Sequence, residues 1–446
     1  EGEAGLQKFA SKHKKDSRTN PKSVLRCNSS IYGCPGAGAA FEMLVHSVHT
    51  KVCGCTQTEV EPSIYVRIVV DGDDKVTGYL IAAAFVDDLR FFGTKPEMEE
   101  YMRCVKSKLK VTFSEPPVDE FISIQTYQCM LTHTSELKMP MYFEKAAAGY
   151  ASLFPKGMKK RLVPLTTLDE KQIEVEPTVA EVESAKHLPF RELLGVLSYP
   201  ASQCKFEMKY AVSILGSRRS GWSKAQFDIV LKVLEYGHTT KDIGLIYSKG
   251  LDPHGENTLY CYADASLRIP RSWGCQICML NGAAVLYKAK KQSKTAPSAC
   301  HAELMAFFDG TTYCLGIRNL LSELGMYQEA PTRVYQDNES AEKIMNNRGS
   351  LGVTSRAMDL EILSSRNRIE DQLVSTKWKG TKDMLADLGT KALALNPFAR
   401  LRDSMNGYLL VKAAYPNKSM SSCVYDGEQG ESTTSDLKRT QAMIMS

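Results

Sequence analysis

The chain has 446 residues, 43% hydrophobic and 24% charged, with 56 Lys and Arg against 51 Asp and Glu for a net charge of +5. That length allows about three domains, and the apolar share excludes a wholly disordered chain. The slight basic excess suits a polyanion partner without requiring one. The 13 cysteines, odd in number and scattered through apolar runs, argue against a disulfide framework and for a reducing cytoplasmic or nuclear compartment. No apolar run approaches the ~20 residues of a membrane-spanning helix, so no membrane partner is expected.

Residues 1–23 are polar and read as a flexible lead-in. The absence of an initiator Met at Glu1 suggests a fragment or a piece of a polyprotein. Two strands are expected over 63–70 and 77–85, flanking an Asp-Gly-Asp-Asp turn at 71–74. A helix over 96–110 follows, with Met98, Tyr101, Val105 and Leu109 on one face. Residues 142–154 read as helical and 164–188 as an acidic connection. Two amphipathic helical stretches cover 190–215 and 222–236, the first interrupted at Pro200. A strand-rich block over 259–292 leads to a long helix from Ser298, which is a good N-cap, to about Leu324. Then come a strand at 332–336, two helices, a strand at 374–378 and a final helix carrying Asp387. Apolar density falls after Tyr408, and 409–446 is expected to be disordered. The pair Cys275 and Cys278 lies in a strand pattern, as buried thiols rather than a zinc motif, and Cys53 and Cys55 read the same way.

Four carboxylates in the last third stand in suggestive contexts. They are Asp264 in Leu259-Tyr-Cys-Tyr-Ala-Asp264-Ala-Ser, Glu303 in Cys300-His-Ala-Glu303-Leu-Met, Asp337 in Val334-Tyr-Gln-Asp337-Asn-Glu-Ser-Ala, and Asp387 in Asp383-Met-Leu-Ala-Asp387-Leu-Gly-Thr-Lys. Any one alone would be read as a helix cap or a solvated charge. In the order strand-end Asp, helix Glu, strand-end Asp, helix Asp they suit two hard divalent ions about 4 Å apart, which can clamp a phosphodiester. Upstream, Phe85-Val-Asp-Asp88 places two adjacent acids in a tight turn between apolar strands. Their mutual repulsion makes sense if a metal and its phosphates sit over the turn.

These words resemble the Pol polyprotein of copia-type LTR retrotransposons, in its reverse transcriptase and ribonuclease H region. The likeness takes in Lys290-Lys-Gln292, Leu193-Leu-Gly-Val-Leu-Ser-Tyr199, Tyr210-Ala-Val-Ser-Ile-Leu215 and Lys241-Asp-Ile-Gly-Leu-Ile-Tyr247. It also takes in Ile31-Tyr-Gly33, Gly36-Ala-Gly-Ala-Ala-Phe41 and Thr354-Ser-Arg-Ala-Met-Asp-Leu360, the last without the family's usual His. No His follows His301, so an auxiliary His near the last acid is absent or supplied otherwise.

The resemblance implies an α/β and α+β chain: a lead-in at 1–23, reverse-transcriptase palm and thumb at 24–188, connection helices at 189–250, and a ribonuclease H domain with a mixed five-stranded sheet at 257–405. It implies hydrolysis of RNA in RNA–DNA hybrids, with Asp264, Glu303, Asp337 and Asp387 holding two Mg²⁺ or Mn²⁺ ions. Asp87 and Asp88 would be the palm metal ligands. Pro35 and Gly36 replace the family's Lys-Gln, and no upstream palm Asp is evident, so this chain is not expected to polymerise DNA. Lys288, Lys290, Lys291, Arg218 and Arg219 are candidate contacts to a hybrid or template-primer backbone. The alternative is a catalytically inactive, decayed or domesticated nucleic-acid-binding protein.

Overall fold

The computed structural model describes residues 37–113, 120–129, 132–346 and 359–416. The expectations for 1–23, Ile31 to Gly36, Thr354 to Met358 and 417–446 fall outside them. The described residues fall into two compact units, one within Glu1–Gln57 and Ser63–Val111, the other within Thr58–Pro62 and Thr112–Ser446.

The first unit holds helix α1 (Ala37–Ser47), which passes into a π-turn (Val48–Val52), and strands β1 (Thr56–Gln57), β2 (Ile64–Val70), β3 (Val76–Phe85) and β4 (Asp88–Gly93). Helix α2 (Lys95–Lys106) completes it. The sheet order is β1-β2-β3-β4, with every pair antiparallel. Leu80 and Ala82 share one face of β3, Tyr65 of β2 pairs opposite Ala82, and all three are buried, as are Tyr101 and Val105 of α2. His49 joins this core, its Nδ1 donating to the Val45 carbonyl at 2.8 Å and its Nε2 accepting from the Tyr101 hydroxyl at 2.7 Å. Cys53 and Cys55 are buried beside it, as expected.

The second unit opens with β5 (Glu120–Phe121), β6 (Ile124–Cys129) and β7 (Thr134–Lys138). Helices α3 (Pro140–Gly149), α4 (Thr167–Glu174), α5 (Val179–Ala185), α6 (Phe190–Gln203), α7 (Lys209–Gly216) and α8 (Lys224–Thr239) follow, and β8 (Leu245–Ser248) returns to pair with β7. Two expectations change here. The acidic connection at 164–188 contains two short helices, α4 and α5, each opened by a full capping box, Thr166 with Asp169 and Thr178 with Glu181. Helix α6 also runs through Pro200 and ends only after Gln203. Pro200 cannot donate to the Val196 carbonyl, and the Tyr142 hydroxyl from α3 donates there instead at 2.8 Å.

The remaining elements form a sheet covered on both faces. They are β9 (Tyr260–Ser266), β10 (Trp273–Leu280), β11 (Ala283–Lys291), α9 (Ala299–Glu323), β12 (Thr332–Gln336), α10 (Glu339–Asn346), α11 (Asp359–Glu370), β13 (Val374–Trp378), α12 (Leu395–Met405) and α13 (Tyr408–Ala414). The sheet order is β11-β10-β9-β12-β13. The first three strands pair antiparallel, and β12 runs parallel to both β9 and β13. This is the mixed five-stranded sheet expected from the sequence.

Strand alternation sends Cys261 and Ala263 of β9 into one core with α9, while Tyr260 and Tyr262 join a second core with α6, α7 and α8. Helices α6, α7 and α8 and the five-stranded sheet thus share one hydrophobic core. Ser298 caps α9 as expected, accepting from the His301 N–H. Residues 409–414, expected to be disordered, belong to α13 instead. Gly407 precedes it at φ 81°, where a Cβ would lie 2.1 Å from the Ile246 carbonyl oxygen.

Candidate metal centre

Asp264 lies within β9 rather than after it, opposite Cys275 on β10. Strands β9 and β12 are parallel neighbours, with Tyr262 paired to Tyr335. Their ends therefore bring Asp264 and Asp337 to one edge, where ligand sites of α/β sheets gather. Glu303, in the first turns of α9, reaches the same edge. Asp264, Glu303 and Asp337 each offer a carboxylate oxygen within 4.8 Å of the others. Asp264 and Glu303 are buried and Asp337 half-buried.

Asp387 joins from a different local structure than expected. It sits on a short 3-10 turn (Leu385–Gly389), not in the helix expected there; the next helix, α12, starts only at Leu395. Gly389 explains the turn. It is packed so closely on β10 and β11 that a Cβ there would lie 2.3 Å from Cys275 Sγ and 2.8 Å from the Tyr287 hydroxyl. That close docking holds the Asp387 turn against the sheet.

The electrostatics are those of negative charge held out of water. Burial first, and then the charges of Asp264 and Asp337, push the Glu303 carboxyl well above the ordinary range. Burial likewise raises Asp264; a hydrogen bond from Thr390 works against this and Asp337 adds to it. Burial and the charge of Asp264 lift Asp387 to about 7.

The neighbouring donors offset only part of this charge. Thr390 Oγ1 donates to Asp264 Oδ2 at 2.6 Å, Thr381 Oγ1 donates to Asp337 Oδ2 at 3.0 Å, and the Trp378 indole donates to the Asp337 carbonyl at 3.1 Å. The Lys391 ammonium stands 2.7 Å from Asp387 Oδ1 as an ion pair. Buried Glu303 Oε2 nevertheless has no hydrogen-bond donor. Buried oxygens left so are costly, and an all-oxygen pocket with surplus negative charge fits a hard divalent cation. Thr381, Thr390 and Lys391 had no role assigned from sequence. The Thr-Lys that follows Asp387-Leu-Gly was the available signal.

The other expected site residues lie elsewhere. Asp87 and Asp88 are exposed at the β3–β4 hairpin tip in the first unit, beside Val86 at φ 54°. Among the described residues they belong to neither of the two groups of three or more potential metal ligands. The other such group, Cys261, Cys278 and Cys314, is wholly buried between β9, β10 and α9. Lys288, Lys290 and Lys291 are exposed on β11, with Lys290 3.5 Å from Asp309. Arg219 is exposed. Arg218 is not available to a phosphate: its guanidinium binds the Ile173 and Glu174 carbonyls and the Glu176 carboxylate. It serves as a brace for the end of α4.

No family model matches the chain. Curated relatives do. The truncated transposon Ty1-A Gag-Pol polyprotein of Saccharomyces cerevisiae is 22% identical over 391 residues, covering 85% of this chain and 31% of the relative. The Ty1-H Gag-Pol polyprotein of the same yeast is 22% identical over 391 residues, covering 85% of this chain and 21% of the relative. The chain therefore spans about a third or less of the curated relatives it matches. Ty1 is a copia-type element, so the kinship expected from the motifs is borne out. Among solved structures, a foamy viral protease-reverse transcriptase in complex with double-stranded DNA aligns with TM-score 0.36 and 11% identity, over 77% of this chain and 49% of that one. The LC11 ribonuclease H1 in complex with RNA/DNA hybrid aligns with TM-score 0.23 and 8% identity, over 28% of this chain and 88% of that one.

Proposed function

We propose that this region of a copia-type Pol polyprotein hydrolyses the RNA strand of RNA–DNA hybrids at the pocket of Asp264, Glu303, Asp337 and Asp387. The observation that carries the reading is the convergence of Asp264, Glu303 and Asp337 to within 4.8 Å, from elements far apart in the chain. The four acids would hold two divalent ions, Mg²⁺ or Mn²⁺, which when bound supply a water nucleophile at neutral pH and neutralise charge at the scissile phosphate.

The chain's own groups prepare that site. Thr390 and Thr381 orient the Asp264 and Asp337 carboxylates. Lys391 offsets charge beside Asp387. Burial of Glu303 and Asp264 keeps bulk water from competing for their oxygens. Lys288, Lys290, Lys291 and Arg219 would meet the hybrid backbone, whose A-form shape and 2′-OH groups are the recognisable features. Asp87 and Asp88 would be the corresponding acids of a reverse-transcriptase-like palm in the first unit. That all four acids are retained in their short sequence words favours an enzyme over the alternative of a decayed binding protein.

Labelled RNA–DNA hybrid incubated with the chain and Mg²⁺ should be cut in the RNA strand only, and Asp337→Asn should abolish the products. Hybrid binding without cleavage by the unaltered chain would overturn the reading.

A further inference from the structure

We propose that Arg268 and Glu170, outside the acid pocket, are positioning residues for it: they grip the backbone on both sides of Lys391 and so hold Thr390 and Lys391 against Asp264 and Asp387. This rests on the metal-dependent reading of the pocket. Arg268 lies in the β9–β10 loop, just past Asp264. Glu170 lies on α4, in the segment read from sequence as a mere connection, and is 7% exposed.

The two residues form an ion pair, and the Tyr210 hydroxyl donates to Glu170 and accepts from Arg268 at 3.0 Å. The other arm of Arg268 pairs with Glu174. From this clasp Arg268 Nη2 donates to the Thr390 carbonyl at 3.4 Å, and Glu170 Oε2 accepts the Ala392 N–H at 3.2 Å. Residues 391–394 belong to no helix or strand, so their backbone groups depend on anchors of this kind. What the clasp brackets is functional. The Thr390 hydroxyl meets Asp264 at 2.6 Å, and the Lys391 ammonium meets Asp387 at 2.7 Å. A purely structural clasp would alter only stability. One that orients ligands also alters metal affinity, and residues one shell out from a metal are typically worth about 10–100-fold in that affinity.

The test uses the full chain with Arg268→Ala, Arg268→Lys, Glu170→Gln and, as a control on the exposed side of α4, Lys171→Ala. Mn²⁺ binding is measured by calorimetry, exchange of the Ala392 amide by mass spectrometry, and hybrid cleavage as a function of Mg²⁺. Arg268→Ala and Glu170→Gln should each weaken Mn²⁺ binding about tenfold. The Mg²⁺ needed for half-maximal cleavage should rise by the same factor, with KM for hybrid unchanged at saturating metal. Arg268→Lys should recover only part, because one ammonium cannot reproduce the forked contacts. Lys171→Ala should match the unaltered chain. Wild-type Mn²⁺ affinity in folded Arg268→Ala or in the near-isosteric Glu170→Gln overturns the proposal. If the unaltered chain binds Mn²⁺ yet cuts no hybrid, the nuclease reading fails, and the Mn²⁺ isotherms still decide the positioning role. No measurable Mn²⁺ binding by the unaltered chain overturns both.

Discussion

Replacing Asp387 with Asn should make the chain more stable in metal-free buffer while destroying its hybrid cleavage. Asp387 is 4% exposed, and burial followed by the charge of Asp264 raises its carboxyl from 3.8 to about 7. At about 1.4 kcal/mol per pH unit, ionising it in the folded chain costs at most about 4 kcal/mol. Asp264 titrates with it, so the cost belongs to the pair. That cost already includes the attraction of Lys391, which lowers the carboxyl, and the amide that replaces it must still be buried, at about 2–3 kcal/mol. About 1–2 kcal/mol of net stabilisation remains, a few degrees in Tm.

The sign follows from the direction of the shift. A carboxyl raised in the folded state costs nothing while both states are protonated, and the cost grows as pH climbs from about 4 to about 7. Scanning calorimetry in EDTA should therefore find the variant near wild type at pH 4 and more stable at pH 8. Added Mg²⁺ should reverse the order, because metal binding stabilises only the chain that holds it well. A variant that melts at or below wild type in EDTA at pH 8, or that cuts hybrid at the wild-type rate, would refute the reasoning.

Glu303→Gln should likewise lose cleavage while a gel shift shows hybrid binding intact; loss of binding would mean that Glu303 shapes the surface rather than the chemistry. The Mg²⁺ concentration for half-maximal cleavage should fall as pH rises from about 6 to 8, since the raised carboxyls of Asp264, Glu303 and Asp387 must release protons to bind metal; a flat dependence would contradict this. Gly389→Ala, which would put a methyl group 2.3 Å from Cys275 Sγ, should cost about 1–3 kcal/mol by overpacking and displace Asp387, and wild-type cleavage would show that the turn adapts freely. Combined Lys288→Ala, Lys290→Ala and Lys291→Ala should reduce the salt dependence of hybrid binding by about two to three counterions, while an unchanged slope would move the backbone contacts elsewhere.

The elements that were legible are those whose signal is local. Strands β2 and β3 announce themselves as apolar runs flanking the turn at 71–74, and α9 by its Ser298 cap. The four acids were legible for a similar reason, each carried in a short word. Their convergence depends on strand order, and the parallel pairing of β9 with β12 appears in no short window of sequence. The misread elements depended on distant partners. Pro200 reads as a break because its helix-mending donor, Tyr142, comes from another helix. Asp387 reads as helical because Cys275 and Tyr287, which hold its turn at Gly389, lie on other strands. Arg218 reads as a free cation because the carbonyls that capture it belong to the end of α4.

The same distinction bears on how the pocket works. The carboxylates can be carried by short words because their chemistry is intrinsic to the side chain. Their orientation cannot, because Thr390 and Lys391 take their places from Arg268 and Glu170, which are 98 residues apart. A segment cut to the motif-bearing strands and helices would keep every acid and lose α4, and with it the clasp beside the pocket. The helices read as a connection are on this argument part of the metal centre's support.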